Sequence, residues 1–499
     1  MDLLANLAHG FGVALSLDNL LFALLGALIG TAIGVLPGIG PVATISLLLP
    51  ITFGQPATTA IIMLAGIYYG AQYGGSTTAI LLNLPGEVSS VVTALDGYKM
   101  ARKGRAGAAL TIAACGSFFA GSVATLVVAA SGPMLTSVAL SFGPADYFSL
   151  MLLGLIISAV LAQGSVLKSI AMVVLGVALG LVGTDVQTGQ QRFTFGIPEL
   201  SDGIDFVAIA MGIFGLGEII LNLERPEARQ VMSGKVGSLM LTKEEFRRSI
   251  PSVLRGTLIG STLGILPGGG AALSAFGSYM MERKVSKYGH ELGTGAIEGV
   301  AGPESANNAA AQTSFIPLLT LGIPSNAVMA LMVGALIIQG IQPGPRMVEA
   351  QPDLFWGLIC SMWVGNLMLL VINLPMIGMW VKLLQVPYKY LYPAILMFCA
   401  IGVYSLNNSL WDVYMTVFFG IIGYIFAKLR MEAAPLLIGF VLGPMMEEHL
   451  RRAMLLSRGD VVVFIERPIS ATLLALAALT LGAMLLPNLR AGKNKALAE

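Results

Sequence analysis

Three hydroxyl side chains stand together in the middle of a long apolar stretch of the chain. Ser76, Thr77 and Thr78 follow two consecutive glycines, and Asn83 stands just before a Pro-Gly pair. Hydroxyl and amide groups at a helix break can bind carboxylate oxygens, and they can complete a sodium shell together with backbone carbonyls. The alternative is that each hydroxyl donates a hydrogen bond to a carbonyl of its own helix. A cluster of three beside a break favours a binding site.

A second polar cluster follows in the later part of the chain. The stretch 298–308 reads EGVAGPESANN and contains Glu304, Asn307 and Asn308. Polar residues at membrane depth are costly, and they are functional by default. These three residues are therefore predicted to belong to a binding site. For Glu298, a loop position at the membrane interface is an equally good interpretation.

Two glycine groups that follow a proline could each open a half-helix. Gly38 and Gly40 follow Pro37, and Gly268 to Gly270 follow Pro267. Free backbone N–H groups at such a helix start would face a cavity with the positive end of the helix dipole, which favours an anion. The alternative is close packing of helices through small residues.

The predicted binding residues lie in the two polar clusters, at the glycine groups and at the breaks that follow the clusters. They are Gly38, Gly40, Ser76, Thr77, Thr78, Asn83, Pro85, Gly86, Gly268, Gly269, Glu304, Asn307, Asn308, Gly322, Pro324 and Ser325. Neither core motif contains Lys or Arg, so backbone N–H groups, hydroxyls and amides would hold an anionic substrate. Co-transported Na⁺ or H⁺ would offset its charge, and no other cofactor is expected. No catalytic residue and no firm metal site are predicted, although Na⁺ near Ser76, Thr77 and Asn308 is an option.

The composition indicates which kind of fold must position these residues. Of the 499 residues, 56% are hydrophobic and 11% are charged, whereas soluble domains carry about 25% charged residues. No Asp, Glu, Lys, Arg or His occurs from Asn19 to Gly86. The chain is therefore predicted to be an all-α polytopic membrane protein. A span takes roughly 20 residues, which allows about 10–12 transmembrane helices. With a net charge of +1 and basic residues confined to short loops, nucleic-acid binding is not expected.

The apolar segments after the first broken region predict individual spans. Their approximate bounds are 106–130, 145–163, 166–184, 203–222, 355–376, 391–407, 411–428 and 468–488. The segment 433–446 is too short to assign and could be re-entrant, which leaves the side of the 490–495 tail open. Basic loops stay cytoplasmic, so the loops 96–105 and 224–255 are placed inside and the N-terminus outside.

An internal repeat divides the chain. The motifs around the Pro-Gly breaks occur twice in the chain. The two copies are 230 residues apart at the first motif of the repeat and 239 residues apart at its last motif. The matched pairs are GALIG (26–30) with GTLIG (256–260), GVLPGIG (34–40) with GILPGGG (264–270), and LNLPG (82–86) with LGIPS (321–325). The first copy begins outside and the second begins inside, which is an inverted-topology repeat with broken or re-entrant helices. We therefore expect a first repeat at 1–223, a basic cytoplasmic linker at 224–255 and a second repeat at 256–499.

Four stretches of the chain together resemble the large membrane subunit of the bacterial tripartite tricarboxylate transporters. They are YGGSTTAILLNLPGE (73–87), DGYKMARKGRAGAAL (96–110), GVAGPESANN (299–308) and LLTLGIPS (318–325). The departures from the family pattern, Lys99, Gly302 and Ser305, spare the polar positions named above. The resemblance implies a secondary carboxylate importer of the bacterial inner membrane that is driven by an ion gradient. It also implies two partners, a small four-span membrane subunit and a periplasmic solute-binding protein.

These observations predict a translocating subunit that imports organic carboxylates by alternating access around a midplane site. A carboxylate channel would keep the same site without ion coupling. An intramembrane enzyme is disfavoured, because none of His9, His290 and His449 stands beside a motif serine. A primary pump is disfavoured because the chain lacks a GxxxxGK[ST] phosphate loop.

Overall fold

Helices form nearly all of the regular structure of this chain. The computed structural model describes residues 3–36, 40–84, 86–162, 165–185, 187–224, 237–266, 270–383 and 388–485. Within these residues the strands are two short ones, β1 (Gly183–Thr184) and β2 (Gln191–Arg192), which pair antiparallel. The helices confirm the predicted all-α fold class.

The helices up to residue 224 comprise those that surround the first broken region and those that follow it. They are α1 (Leu3–Ala14), α2 (Leu17–Val35), α3 (Pro41–Leu48), α4 (Ala57–Leu82), α5 (Val91–Met100), α6 (Ala106–Ala139), α7 (Pro144–Leu161), α8 (Val166–Gly180), α9 (Phe206–Ala210) and α10 (Gly217–Glu224).

The helices after residue 236 repeat this alternation of long and short elements. They are α11 (Lys243–Leu263), α12 (Gly270–Val285), α13 (Glu298–Thr313), α14 (Phe315–Leu321), α15 (Ala327–Ile338), α16 (Met347–Ala350), α17 (Pro352–Asn373), α18 (Ile377–Leu383), α19 (Tyr388–Asn407), α20 (Leu410–Lys428), α21 (Ala434–Leu456), α22 (Val463–Glu466) and α23 (Pro468–Leu485).

Six helical segments of the described chain are long and apolar enough to cross a membrane. They are Leu17–Val35, Val88–Ala139, Pro144–Leu161, Phe206–Glu224, Pro352–Asn373 and Leu410–Lys428. Shorter apolar helices accompany them, for example α3, α8 and α15. This pattern is that of a multi-pass membrane protein with several broken helices.

The predicted helix breaks coincide with observed helix ends. α2 ends at Val35 and α3 begins at Pro41, with Gly40 as its N-cap. In the second half, α11 ends at Leu263 and α12 begins at Gly270. Proline lacks a backbone N–H and fits the first turn of a helix, so Pro41 is compatible with a helix start at this point.

The same close packing of two helices occurs once in each half of the chain. Glycines recur at every fourth position of α2 and α11, where they lie against backbone carbonyls of α4 and α13. In the first half, a Cβ added at Gly26, Gly30 and Gly34 would lie 2.3, 2.3 and 2.5 Å from the carbonyl oxygens of Met63, Ile67 and Ala71, respectively. In the second half, a Cβ added at Gly256, Gly260 and Gly264 would lie 2.2, 2.2 and 2.6 Å from the carbonyl oxygens of Gly302, Ala306 and Ala310. The glycines are 230 residues apart and their partners 239, as in the sequence repeat.

Three predicted segments differ from the structure in their local conformation. The stretch 96–105, predicted as a loop, continues α5 to Lys103 and then kinks at Gly104, where φ is 78°, before α6 begins. The helix α11 begins at Lys243, inside the predicted linker 224–255, because Thr242 and Glu245 form a capping box at its start. The short segment 433–446 belongs to the 23-residue helix α21.

We predict that Gly30→Ala and Gly260→Ala each lower the stability of the protein by about 1–3 kcal/mol, because the added methyl group would overlap a backbone carbonyl. The measurement is the melting temperature of the purified chain in detergent. Gly12→Ala is the matched control, since Gly12 lies in α1 with nothing within 4 Å of its added Cβ. Equal melting temperatures for all three variants would contradict the close packing.

Candidate functional site

Two helices carry polar residues into the interior of the protein. Every residue of α13 is buried, and so is α4 from Thr59 to Leu81. Helices buried on all sides have no lipid-facing surface, so their polar side chains must find partners within the protein. The site is built where these two helices meet.

The carboxyl group of Glu304 joins the two helices. Its Oε2 lies 2.6 Å from the hydroxyl oxygen of Ser76 on α4, and its Oε1 accepts a hydrogen bond from Thr93 on α5 at 2.5 Å. Glu304 has 1% of its surface exposed. Two residues that stand 228 positions apart in the chain are thus in direct contact, and both were predicted as site residues.

The two asparagines of the second cluster also bind residues of the first half. Asn308 donates to the hydroxyl of Ser117 on α6 at 2.7 Å. Asn307 donates to Oε1 of Glu87 at 3.3 Å, and this carboxylate also accepts a hydrogen bond from Ser89. The predicted residues Glu304, Asn307 and Asn308 therefore face α4, α5 and α6 from one helix.

A small cavity opens beside this network. Ten residues of α4, α6, α13 and the end of α17 line it, and the polar ones are Tyr73, Ser76, Thr77, Ser117, Glu304 and Asn373. The space is sufficient for about one water molecule. A molecule larger than water can enter only if the walls move apart.

The sequence allows the hydroxyl cluster either to form a binding site or to donate hydrogen bonds to carbonyls of its own helix, and the structure shows features of both. Ser76, Thr77 and Thr78 donate to the carbonyls four residues earlier, as hydroxyls inside helices often do. The hydroxyl oxygen of Thr78 also lies 2.8 Å from the carbonyl oxygen of Val35, at the end of α2, so its one hydrogen is shared between two acceptors. The cluster lies within α4, which continues to Leu82, and not at a break. Helix packing thus accounts for Thr78, whereas Ser76 and Thr77 line the cavity.

The other predicted residues lie at helix ends near the cluster and not in the cavity. Gly40 caps α3, and Asn83, which is exposed, ends α4 with φ at 58°. A Cβ at Gly86 would lie 2.4 Å from the carbonyl oxygen of Gly34, so the chain after α4 returns to the end of α2. Gly322 ends α14 with φ at 73°, a conformation that suits glycine.

Two further predicted residues follow that helix end. Pro324 and Ser325 are buried, and Ser325 donates to the carbonyl of Ser314 at 3.4 Å. The predicted residues Gly38, Pro85, Gly268 and Gly269 lie outside the residues that the structure describes. Among the described predictions, the structure brings five together around the cavity or its hydrogen bonds: Ser76, Thr77, Glu304, Asn307 and Asn308.

Glu298 serves a structural role at the start of α13. Arg248 on α11 donates to both of its carboxylate oxygens, at 2.8 and 3.0 Å. The same guanidinium binds Glu291 at 2.7 Å. Glu298 is thus buried in a helix and not at a loop position of the membrane interface, and its ion pair with Arg248 accounts for its carboxylate without a binding role.

Several residues of the network were missed by the analysis of the sequence. They are Gln72, Tyr73, Glu87, Thr93 and Ser117. Only Glu87 carried a signal, because it is the first charged residue after the long uncharged stretch. The others are ordinary helix residues, and only the packing of α4, α5 and α6 against α13 brings them to Glu304.

The charges in this region are of one sign. Within the described part of the chain, no ion pair includes Glu87 or Glu304. The described residues also contain no group of three His, Cys, Asp or Glu that could hold a metal ion. The hydrogen-bond partners of Glu304 are neutral hydroxyls, so a positive species would bind here more readily than an anion alone.

A second carboxylate fixes the approach of α13 to the first half. Asp96 on α5 is fully buried and accepts hydrogen bonds from the backbone N–H groups of Gly293, Gly295 and Ala296. The hydroxyl of Tyr279 donates to the same carboxylate at 3.0 Å. These contacts hold the chain just before α13 against α5, and so they position Glu304 relative to Thr93.

Comparison with known proteins gives one matching family and two similar proteins. A family model described as the tripartite tricarboxylate transporter TctA family matches residues 20–438. An Agrobacterium vitis protein, "Uncharacterized 52.8 kDa protein in TAR-I ttuC' 3'region", is 59% identical over 499 residues, which is 100% of this chain and 99% of that protein. A second protein of the same organism, "Uncharacterized protein in TAR-II ttuC' 3'region", is 59% identical over 240 residues, which is 48% of this chain and 99% of that protein. No solved structure matches.

We predict that Asp96→Asn lowers the stability of the protein by about 2–3 kcal/mol, because an amide would turn a donor toward buried N–H groups that need an acceptor. Thermal unfolding of the purified chain measures the change. Arg102→Gln is the control just after the same helix, since the Arg102 side chain is exposed and its change should cost within about 0.5 kcal/mol. An unchanged melting temperature for Asp96→Asn would show that this carboxylate does not hold α13.

Proposed function

Because this chain belongs to the tripartite tricarboxylate transporter TctA family, we propose that it is the translocating subunit that carries organic carboxylates across the membrane. The family makes the chain a component of a transporter and not an enzyme. We further propose that transport is secondary, driven by a sodium or proton gradient, and that it proceeds by alternating access. Its location would be the bacterial inner membrane.

The observation that carries this proposal is the contact of Ser76 with Glu304 beside a closed cavity. One residue belongs to the first proposed repeat and the other to the second. A site formed between two repeats can open to either side when one repeat moves against the other. The matched helix pairs α2–α4 and α11–α13 support this division of the chain.

The charge of the site supports ion coupling. A carboxylate substrate near Glu304 and Glu87 would be repelled while both groups are ionised, because like charges in a poorly screened interior interact strongly. A cation that enters with the substrate removes this repulsion. A channel would have no need for buried carboxylates on the path of an anion, so the symporter is the better fit.

Substrate contacts would come from neutral donors. Ser76, Thr77 and Ser117 line the cavity, and Asn308 lies directly behind Ser117. When the walls separate, their hydroxyl and amide hydrogens become available to carboxylate oxygens. The starts of α3 and α12, at the glycine groups, would add backbone N–H groups.

The proposed partners follow from the family. A small four-span membrane subunit would complete the membrane part of the transporter. A periplasmic solute-binding protein would deliver the substrate to the outer face.

The test is uptake of labelled citrate, as the tricarboxylate probe, into proteoliposomes that contain this chain with its membrane partner and the binding protein. We expect accumulation above equilibrium when a sodium or proton gradient is imposed without ATP. Collapse of the gradient should release the label. Equilibration without accumulation would indicate a channel and contradict the proposal.

Two substitutions test the residues of the site. Ser76→Ala and Asn308→Ala should each lower uptake about tenfold, because each removes a buried hydrogen bond worth about 1.4 kcal/mol. Ser405→Ala is the control, since Ser405 also donates to its own helix but is exposed. Normal uptake by both site variants at normal expression would place the substrate elsewhere.

A further inference from the structure

We propose that Glu304 is the residue that binds and releases the transported proton. This inference rests on the proposed function and adds the identity of the coupling ion and of its carrier. It does not follow from the family alone. It follows from the hydrogen bonds around a buried carboxyl group.

The hydroxyl of Ser76 has two neighbours and one hydrogen. Its oxygen lies 3.0 Å from the carbonyl oxygen of Gln72 and 2.6 Å from Oε2 of Glu304. A carbonyl oxygen only accepts, so the hydroxyl hydrogen that points to Gln72 cannot also point to Glu304. Both contacts are hydrogen bonds at once when Oε2 of Glu304 carries a proton and donates it to Ser76.

The other carboxyl oxygen fits the same assignment. Oε1 of Glu304 accepts from the hydroxyl of Thr93 at 2.5 Å. A neutral carboxyl group has one donor and one carbonyl-type acceptor, and Ser76 and Thr93 satisfy both. The geometry thus accommodates the protonated form without an unpaired polar atom on this side chain.

The ionised form can also be accommodated without movement of the backbone. When Glu304 loses its proton, Ser76 can rotate its hydroxyl hydrogen from Gln72 to Oε2. The carbonyl of Gln72 keeps the helical N–H donor, and Thr93 continues to donate to Oε1. A residue that exchanges a proton during transport needs hydrogen bonds in both states, and this site supplies them through one rotating hydroxyl.

The ionisable groups around α13 leave Glu304 without a positive partner. The elements packed around helix α13 contribute the following ionisable groups: Tyr73 on α4, Glu87 before α5, Asp96 on α5, Cys115 on α6, Arg248 and Arg255 on α11, and Tyr279 and Glu282 on α12. The two arginines pair with Glu298 and Glu282. Asp96 binds backbone N–H groups and Tyr279. The remaining carboxylate near Glu304 is Glu87, and two close carboxylates favour a bound proton.

The cavity provides a place for the proton to leave. Glu304 lines it, and so does Tyr73, whose buried hydroxyl has no hydrogen-bond partner among the described residues. A single water would fit between such groups and satisfy them. In the release step, the O–H bond of the Glu304 carboxyl breaks, water accepts the proton, and the electron pair stays on the carboxylate.

Coupling follows from the charge of Glu304 in each state. With the proton bound, the residue is neutral and an anionic substrate can enter beside it. Loss of the proton to the inside creates a negative charge that repels the substrate and favours its release. The empty, ionised site then returns to the outside without a proton, so each cycle carries one proton inward together with the substrate.

Infrared spectroscopy of the purified full chain tests the proton without any substrate. We expect the C=O stretch of a protonated, buried carboxylic acid at neutral pH, and we expect it to disappear as the pH is raised. The component of this absorption that belongs to Glu304 should be lost in Glu304→Gln and retained in Glu87→Gln. In Ser76→Ala its frequency should shift, because the acceptor of the proton is removed. A band of undiminished intensity in Glu304→Gln, or no band in the wild type at any pH at which it stays folded, would overturn the proposal.

Transport measurements separate this proposal from the proposed function. In proteoliposomes with citrate, Glu304→Gln should lose accumulation driven by a pH gradient but retain exchange of labelled for unlabelled citrate. Accumulation by Glu304→Gln at the wild-type level would overturn the role of Glu304. Wild-type accumulation that requires sodium and moves no protons would overturn it as well, while the transporter itself would stand. If the wild type moves no citrate, the proposed function fails for this probe and the infrared band still decides whether Glu304 holds a proton.

Discussion

A carboxyl group buried among helices needs hydrogen-bond donors and acceptors from its own protein, and this need joins the two parts of the chain. Glu304 on α13 has its hydrogen-bond partners on α4 and α5, so α13 can be buried with this carboxyl group only when it packs against the first part of the chain. The cost of leaving such a group unpaired is several kcal/mol. Asp96 makes the reciprocal connection, because its carboxylate is satisfied by the chain just before α13.

This polar core requires helices to approach closely. Glycines on α2 and α11 let these helices touch the backbones of α4 and α13, which leaves no room for side chains between them. The approach keeps the two buried helices fixed while their other faces meet each other. Small residues therefore hold α2 against α4 and α11 against α13. Hydroxyls, amides and carboxylates provide the contacts between these two helix pairs. A movement that separates the cavity walls would break a few hydrogen bonds and spare the glycine contacts.

The sequence predicted the helical class, most span positions and the breaks near Pro41 and Gly270 because these depend on local composition. It also identified Ser76, Glu304, Asn307 and Asn308, since polar residues in apolar stretches are conspicuous. It did not predict the partners Thr93 and Ser117, because their role depends on contacts over more than 180 residues of chain. The helical conformation of 96–103 was missed for a similar reason. Its charged residues are typical of a loop in the sequence, and only the structure shows that Asp96 accepts a hydrogen bond from the backbone N–H of Gly295 in the second half of the chain.

The most direct test of alternating access at this site uses a single cysteine at Thr77 in a chain whose Cys115, Cys360 and Cys399 are replaced by alanine. Thr77 lines the cavity, and its hydroxyl donates only to its own helix. Membrane-impermeant thiol reagents would be applied to either face of the vesicle, with and without citrate and an imposed gradient. Our account predicts that Thr77→Cys reacts from both faces, with a preference that citrate and the gradient reverse. Reaction from one face under all conditions, or from neither, would contradict a site that opens in turn to each side.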